Sequence, residues 1–292
     1  MKKIYILMIA ILIGGIARGQ DWVWQNPLPQ GNNLNCVKFI DANTGYAVSD
    51  VSILKTTDGG NTWIIQKTVN TPLNSLFFNS VDSGYVVGQE NTILKTTDGG
   101  VNWFSISFNN VEYLNSVFFT DANTGYIVGY NYGNYKNFIS KTTDGGINWD
   151  KVYISGETTT KLYSVTFVDS DTGYVCGDEG ILKTTNKGVN WQLLNLNLSL
   201  NTEIFSLGFA NKTIGYAVGR YGTVIKTNNA GLNWIETTIC SELLKSIFVK
   251  TQDTAYAVSV LGKIYKTANG GNNWIQQNST VTEALNSIHF TN

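Results

Sequence analysis

Tryptophan recurs along this chain at a spacing close to forty residues. Trp24, Trp63, Trp103, Trp149, Trp191, Trp234 and Trp274 stand 39, 40, 46, 42, 43 and 40 residues apart. The text between them also repeats. An apolar stretch opens each unit: LNCVKF (34–39), LNSLFF (73–78), LNSVFF (114–119), LYSVTF (162–167), IFSLGF (204–209) and LKSIFV (244–249). A Gly-Tyr pair follows at Gly45-Tyr46, Gly84-Tyr85, Gly125-Tyr126, Gly173-Tyr174 and Gly215-Tyr216, with Ala255-Tyr256 as the variant. An ILKTT-type stretch comes next, then Asp-Gly-Gly and Trp. Each stretch is short and rich in the β-branched and aromatic residues that suit a pleated surface. Strand-rich periods near forty residues build β-propellers, one four-stranded blade per repeat. The chain is 42% hydrophobic and 14% charged, a globular composition with no sustained helical periodicity. The fold class is therefore all-β.

The Asp-Gly-Gly stretch must reverse the chain between the third and fourth strands. Glycine supplies the positive φ angles such a reversal needs, and the carboxylate accepts backbone N–H bonds across it. Asp58, Asp98 and Asp144 occupy this place in the first three copies, ahead of Gly60, Gly100 and Gly146. Asn186, Asn229 and Asn269 replace them in the last three. Asn keeps the acceptor but not the carboxylate, so the motif reads as a turn clamp and not as catalytic machinery. The tryptophans are expected to cover apolar area where one blade packs on the next.

Thr56, Asp58, Gly60, Thr62 and Trp63 fit Ser/Thr-x-Asp-x-Gly-x-Thr-Trp, which resembles the Asp-box of sialidases and related propellers. The whole repeat, "F-x-D-x-x-T-G-Y … ILKTTDGG-x-x-W", is similar to the photosystem II assembly and stability factor-like propellers over residues 21–292. That resemblance implies a propeller, and a chaperone-like role holding an intermediate of a membrane protein. The docking surface it implies is rich in arginine, whereas only Arg220 remains here beyond the first nineteen residues.

The two ends extend the count. Residues 1–19 carry Lys2 and Lys3, an apolar core from Ile4 to Ile13, and Ala17-Arg18-Gly19, the pattern of a cleaved secretory signal. The core is shorter than the roughly 20 residues of a membrane-spanning helix. Residues 20–292 form the propeller domain. DWVWQNP (21–27) reads as an isolated fourth strand, six repeats fill 34–283, and LNSIHF (285–290) opens another unit within 284–292. Fourth and first strands from opposite ends make one closing blade. The expectation is a monomeric, seven-bladed propeller whose last blade is incomplete.

Few residues offer chemistry. Without Lys2, Lys3 and Arg18, 17 basic residues face 21 acidic ones, a net charge of −4; nucleic acid, which needs a concentrated basic face, is not an expected partner. A sialidase grips its substrate carboxylate with three arginines, so one arginine excludes that activity. Asp178-Glu179, in CGDEGI, is the best acidic pair for a glycosidase, or else a solvated turn. His289 stands alone, and Cys36, Cys176 and Cys240 lie in separate repeats, so no zinc or His-based site and no disulfide framework is read. Cys36 stands where the other copies have serine, which suits a small apolar residue. No metal or cofactor is expected.

The loops between second and third strands share a face with the approaches to each first strand. There GYNYGNYKNF brings Tyr130, Tyr132 and Tyr135 together with asparagines, either as an aromatic binding surface or as a locally packed hairpin. Asp178, Glu179, Arg220 and Tyr221 lie in equivalent loops. The expected function is an exported, non-enzymatic module binding protein or glycan. A carbohydrate-active hydrolase and an assembly factor for a membrane complex are the alternatives.

Overall fold

The computed structural model describes residues 32–108, 112–131, 133, 136–154, 160–198 and 203–291. Six antiparallel sheets of four strands follow one another along the chain, each in simple sequential order. The first comprises Leu34–Phe39, Gly45–Ser49, Ser52–Thr56 and Ile64–Thr68. The others span 73–105, 112–154, 162–193, 204–238 and 244–277. This is an all-β propeller of six four-stranded blades.

The expected seventh blade is absent from the described residues. LNSIHF (285–290) forms no strand; a strand is defined by backbone hydrogen bonds to a neighbour, and among the described residues its bonds to the first blade run through side chains. Side chains hold the segment instead, between the sixth blade and the first. Asn286 Nδ2 donates to the Leu34 carbonyl at 3.0 Å. Ser287 Oγ accepts the Val37 N–H at 3.2 Å, and His289 Nδ1 accepts the Phe39 N–H at 3.3 Å. Burial, with Lys38 nearby, lowers the His289 pKa to about 4 and keeps that nitrogen an acceptor. On the other side the Phe290 ring lies 4.3 Å from that of Tyr256. The expected leader (1–19), Trp24 and the strand 21–27 lie outside the described residues.

Each of the first four blades packs on the next through one aromatic arrangement. Tyr46 of the first blade stacks on Phe78 of the second at 4.0 Å, and the Trp103 edge meets Phe78 at 90°. Tyr85, Phe119 and Trp149 repeat it, as do Tyr126, Phe167 and Trp191. Such contacts contribute roughly 0.5–1.5 kcal/mol beyond the area they bury. The glycine before each tyrosine leaves room for the phenylalanine: a Cβ on Gly84 would stand 2.5 Å from the Phe78 ring. In the sixth blade Ala255 replaces glycine, and the facing residue is Val249, not phenylalanine. The two substitutions compensate within one blade.

Polar staples join the blades as well. Tyr46 Oη and Lys55 Nζ both donate to the Gly99 carbonyl in the next blade's turn, each at 2.7 Å. Tyr85 and Lys95 converge likewise on Gly145, and Tyr174 and Lys183 on Ala230. Burial pushes the Tyr46 and Tyr174 hydroxyls up to about 12, so they stay donors. Near the axis, Ser75, Ser116 and Ser206 accept backbone N–H bonds from Val117, Val165 and Ile247 of the following blade. Cys36 takes the serine's place in the first blade, and burial raises its thiol pKa. Cys176 is buried, while Cys36 and Cys240 are half-buried; all three are free thiols.

Candidate functional site

The backbone separates two faces. On one, each Asp-box turn ties to the hairpin between first and second strands, as where Gly99 N–H donates to the Asp82 carbonyl at 2.9 Å. On the other, loops between second and third strands tie to the approach of the first strand: Asp178 N–H to Lys161 O at 3.0 Å, Arg220 N–H to Glu203 O at 3.1 Å.

The Asp-box face is the same turn repeated. Thr56 Oγ1 accepts the Gly60 N–H at 2.9 Å and donates to Asp58 Oδ1 at 2.8 Å. Asp58 Oδ1 also takes the Thr62 N–H, and Oδ2 takes the Thr62 hydroxyl at 2.6 Å. These bonds hold the Asp58 carboxyl down to about 2, with the Thr62 side chain the largest cause. Asp98 and Asp144 sit alike. Asn186, Asn229 and Asn269 receive the same Oδ1 bonds. The turn's first glycine has φ +72 at Gly59; Lys187 and Ala230 hold that left-handed place at φ 59 and 57 in two later copies. Trp63 Nε1 donates back to the Gly60 carbonyl at 3.0 Å. Trp63 therefore belongs to its turn, as does Trp149, and the fourth strand of the first blade begins one residue later, at Ile64. Each Asp-box carboxylate is consumed by its own turn.

The opposite face differs from blade to blade. Tyr130 stacks on Tyr113 at 5.0 Å with the rings 6° apart, and Lys161 Nζ stands 5.0 Å over its ring. Tyr132 and Tyr135 lie outside the described residues. Asp178 Oδ2 accepts the Lys161 N–H at 2.9 Å and lies beside Tyr163, whose hydroxyl pKa rises through burial and that neighbour. Glu179 is exposed and faces Tyr153 of the preceding blade. Arg220 Nη2 pairs with Glu203 Oε2 at 2.7 Å. Tyr221, left-handed at φ 58, is 52% exposed. Tyr163 also meets Phe205 of the next blade at 4.8 Å, and Lys245 Nζ lies 5.4 Å over the Phe205 ring.

Tyr163 thus sits among loops that looked separate in the sequence, and it was not singled out there. Its signal was the second residue of the opening strand: Asn in the first three copies, then Tyr163, Phe205 and Lys245.

Three clefts among the described residues are poor in acids. They measure 310, 490 and 420 Å³ and contain one carboxylate between them, Asp121. Paired carboxylates across a sugar site are what glycoside hydrolysis requires. Among the described residues no group of three His, Cys, Asp or Glu side chains could hold a metal, and no helix is long and apolar enough to cross a membrane.

The family model "Photosynthesis system II assembly factor YCF48" matches residues 17–112 and 109–292. The chain belongs to this family. Solved structures agree on the fold. "YCF48 bound to D1 peptide" superposes with a TM-score of 0.68 at 21% identity, covering 88% of this chain and 87% of that one. YCF48 from Cyanidioschyzon merolae gives 0.69 at 20% identity, covering 89% of each. The GH74 enzyme of Niastella koreensis gives 0.69 at 16% identity, but the match covers 84% of this chain and 45% of the enzyme. The sequence matches no curated protein. YCF48 family membership extends over nearly the whole chain, whereas the hydrolase likeness is one of fold alone.

Proposed function

We propose that this YCF48-family propeller is an exported, non-enzymatic module that holds a polypeptide on its varied face. The observation that carries the reading is the convergence of Tyr130, Asp178 and Arg220 through Lys161, Tyr163 and Glu203 on the face whose loops differ most. Aromatic rings with an Arg among them are the residue types enriched in protein interfaces. A family relative bound to a peptide supports a polypeptide partner, and the signal-like residues 1–19 support export. The role is that of an assembly factor: a holder of another chain, not a catalyst.

A photo-crosslinking residue placed at Tyr221 or at Tyr130 tests this in intact cells. The expected result is a discrete crosslinked polypeptide from the varied face, and none from a crosslinker at Val101 on the Asp-box face. Crosslinks from Val101 alone would overturn the reading. Export is tested by the mature N-terminus, expected near Gln20, and by labelling with a reagent that cannot enter the cytoplasm.

A further inference from the structure

Two equivalent clefts lie where the outer strand of one blade meets the Asp-box turn of the next. One, of 490 Å³, joins the second blade to the third, and the other, of 420 Å³, joins the fourth to the fifth. Both open beside the shortest fourth strands of the ring, Phe104–Ser105 and Gln192–Leu193. Beyond Leu193 the chain crosses to the neighbouring blade. Leu196 is buried there against Ile204 and Leu207 of the fifth blade, with Leu194 packed beside it. A hollow takes the place of a longer strand.

The two linings differ. The larger cleft carries the hydroxyls of Thr97, Ser105 and Ser107, and its one amide, Asn148, is engaged, donating Nδ2 to Asp144 Oδ2 at 2.8 Å. The smaller carries four amides, Asn186, Asn190, Gln192 and Asn195, with Trp191 and Leu232. Replacing Asp by Asn in this turn releases two of them. In the first three turns the second carboxylate oxygen takes the side chain four residues on, as Asp98 Oδ2 takes Asn102 Nδ2 at 2.7 Å. Asn186 keeps its turn clamped through Oδ1. Where Oδ2 stood it presents an NH2 group, which donates and cannot accept. Among the described residues neither that NH2 group nor the Asn190 side-chain amide has a hydrogen-bond partner.

Charge and strand pairing narrow the ligand. Lys183 is the one ionic group among the described lining residues, and its Nζ is engaged by the Ala230 carbonyl at 2.6 Å. The edge of the third strand is covered by Gln192, Leu193 and the Leu194 N–H, so no free ladder invites an added strand. What remains is a neutral hollow whose amides both donate and accept. Its wall is the half-buried Trp191, held edge-on to Phe167 at 5.9 Å, and its lip is Leu232, 74% exposed. Sites of roughly 300–1,000 Å³ with an apolar wall and a few convergent polar groups take small ligands.

We propose that this cleft binds a neutral saccharide unit. Neighbouring hydroxyls bond the amides of Asn186, Asn190 and Asn195, and the less polar face of the sugar ring lies on Trp191 and Leu232. The site lies on the Asp-box side of the ring, apart from the polypeptide-holding face, and does not depend on it.

The test titrates maltotriose, cellotriose, mannotriose and tri-N-acetylchitotriose separately into isotope-labelled protein, with NMR signals from the Asn side-chain amides and the Trp indoles. At least one sugar should shift Asn186, Asn190 and Trp191 saturably. Asn190→Ala should weaken that binding about tenfold. Asn186→Asp is the sharper variant, because it restores the carboxylate of the first three turns and recaptures Asn190. It should abolish the response while the melting temperature holds or rises, which separates binding from support of the turn. Response to none of the sugars, an undiminished response in Asn186→Asp, or a response to acetyl-Ala-Leu-Ala-amide in place of the sugars overturns the proposal. Crosslinking from Tyr221 reads the other face, so a failure of this cleft is distinguishable from a failure of the polypeptide-holding reading.

Discussion

The two faces of this propeller spend the same residue types differently. On the Asp-box face, acids, amides and threonines are locked into their own turns, six times over. On the opposite face the corresponding loops hold Tyr130, Asp178, Arg220 and Tyr221, each with a different set of partners, and Tyr221 is left to solvent. Repetition marks what the ring needs in order to stand, and departure from repetition marks what one molecule of this fold has been fitted to do. Aspartate on one face is a staple repeated from blade to blade; on the other, Asp178 is a single clamp on the Lys161 N–H.

The comparison can be broken hardest at the packing both faces share. Phe119 is 3% exposed and stacked on Tyr85 at 3.9 Å, so Phe119→Ala should cost about 3–5 kcal/mol in urea unfolding. Gly125→Ala, whose Cβ would meet the Phe119 ring at 2.5 Å, should cost about 1–3 kcal/mol. Adding Phe119→Val to it should recover part of that loss, as Ala255 and Val249 coexist in the sixth blade. Strict additivity would refute the compensation.

Next in size is the turn itself. Thr96 is buried and accepts the Gly100 N–H at 2.8 Å. Thr96→Val should cost about 1–3 kcal/mol by leaving that donor unpaired. Asp98→Asn should destabilise less than Asp98→Ala, because Asn186 and Asn229 already serve in that place. If Asp98→Ala melts like the parent but loses a partner, the division between the faces fails.

A smaller, pH-dependent effect follows from the same turns. Asp58 and Asp144 fall from the ordinary 3.8 to about 2 on folding. A depressed folded pKa adds stability that is complete above the unfolded value and is lost as pH falls through the folded one. Melting temperature should therefore drop between about pH 4 and pH 2, and Asp58→Asn should flatten part of that slope. Hydrogen bonds to the Thr62 and Asn148 groups are the cause, so salt should change it little.

The smallest expected effect lies on the varied face. Tyr221→Ala should alter stability by no more than about 0.5 kcal/mol while weakening capture of the polypeptide. A large loss of melting temperature would place Tyr221 with the scaffold.

The first strands were legible because their periodicity is local: LYSVTF and IFSLGF are strands over the residues the sequence marks. The turn was legible because its glycines and acids answer to geometry inside eleven residues. The blade count was not, since LNSIHF carries a strand's residues but a strand is defined by its neighbour. The candidate site was half visible. Arg220 and Asp178 announce themselves by charge, but Tyr163 looks like any core aromatic until the second positions of all copies are compared. Glu203 and Lys161 gave no local signal; only the closing of loops onto first strands brings them to Arg220 and Tyr130.

The contact of residues 285–290 with the first blade has a kinetic meaning. Neighbouring blades meet through residues about 40 apart, as Asn74 and Leu114 do, whereas Ser287 reaches Val37 across 250. Drawing the longer loop shut adds only about 1.6 kcal/mol of chain entropy, yet that contact can form only after the intervening blades exist. Assembly should run blade by blade and end there. The seam is also secured by side chains where other joints have strands on both sides. Exchange of the Val37 and Phe39 amides should outpace that of Val117 and Val165; equal protection would show that the ring has no preferred place to open. As assembled, it is a bracelet whose clasp is a six-residue segment.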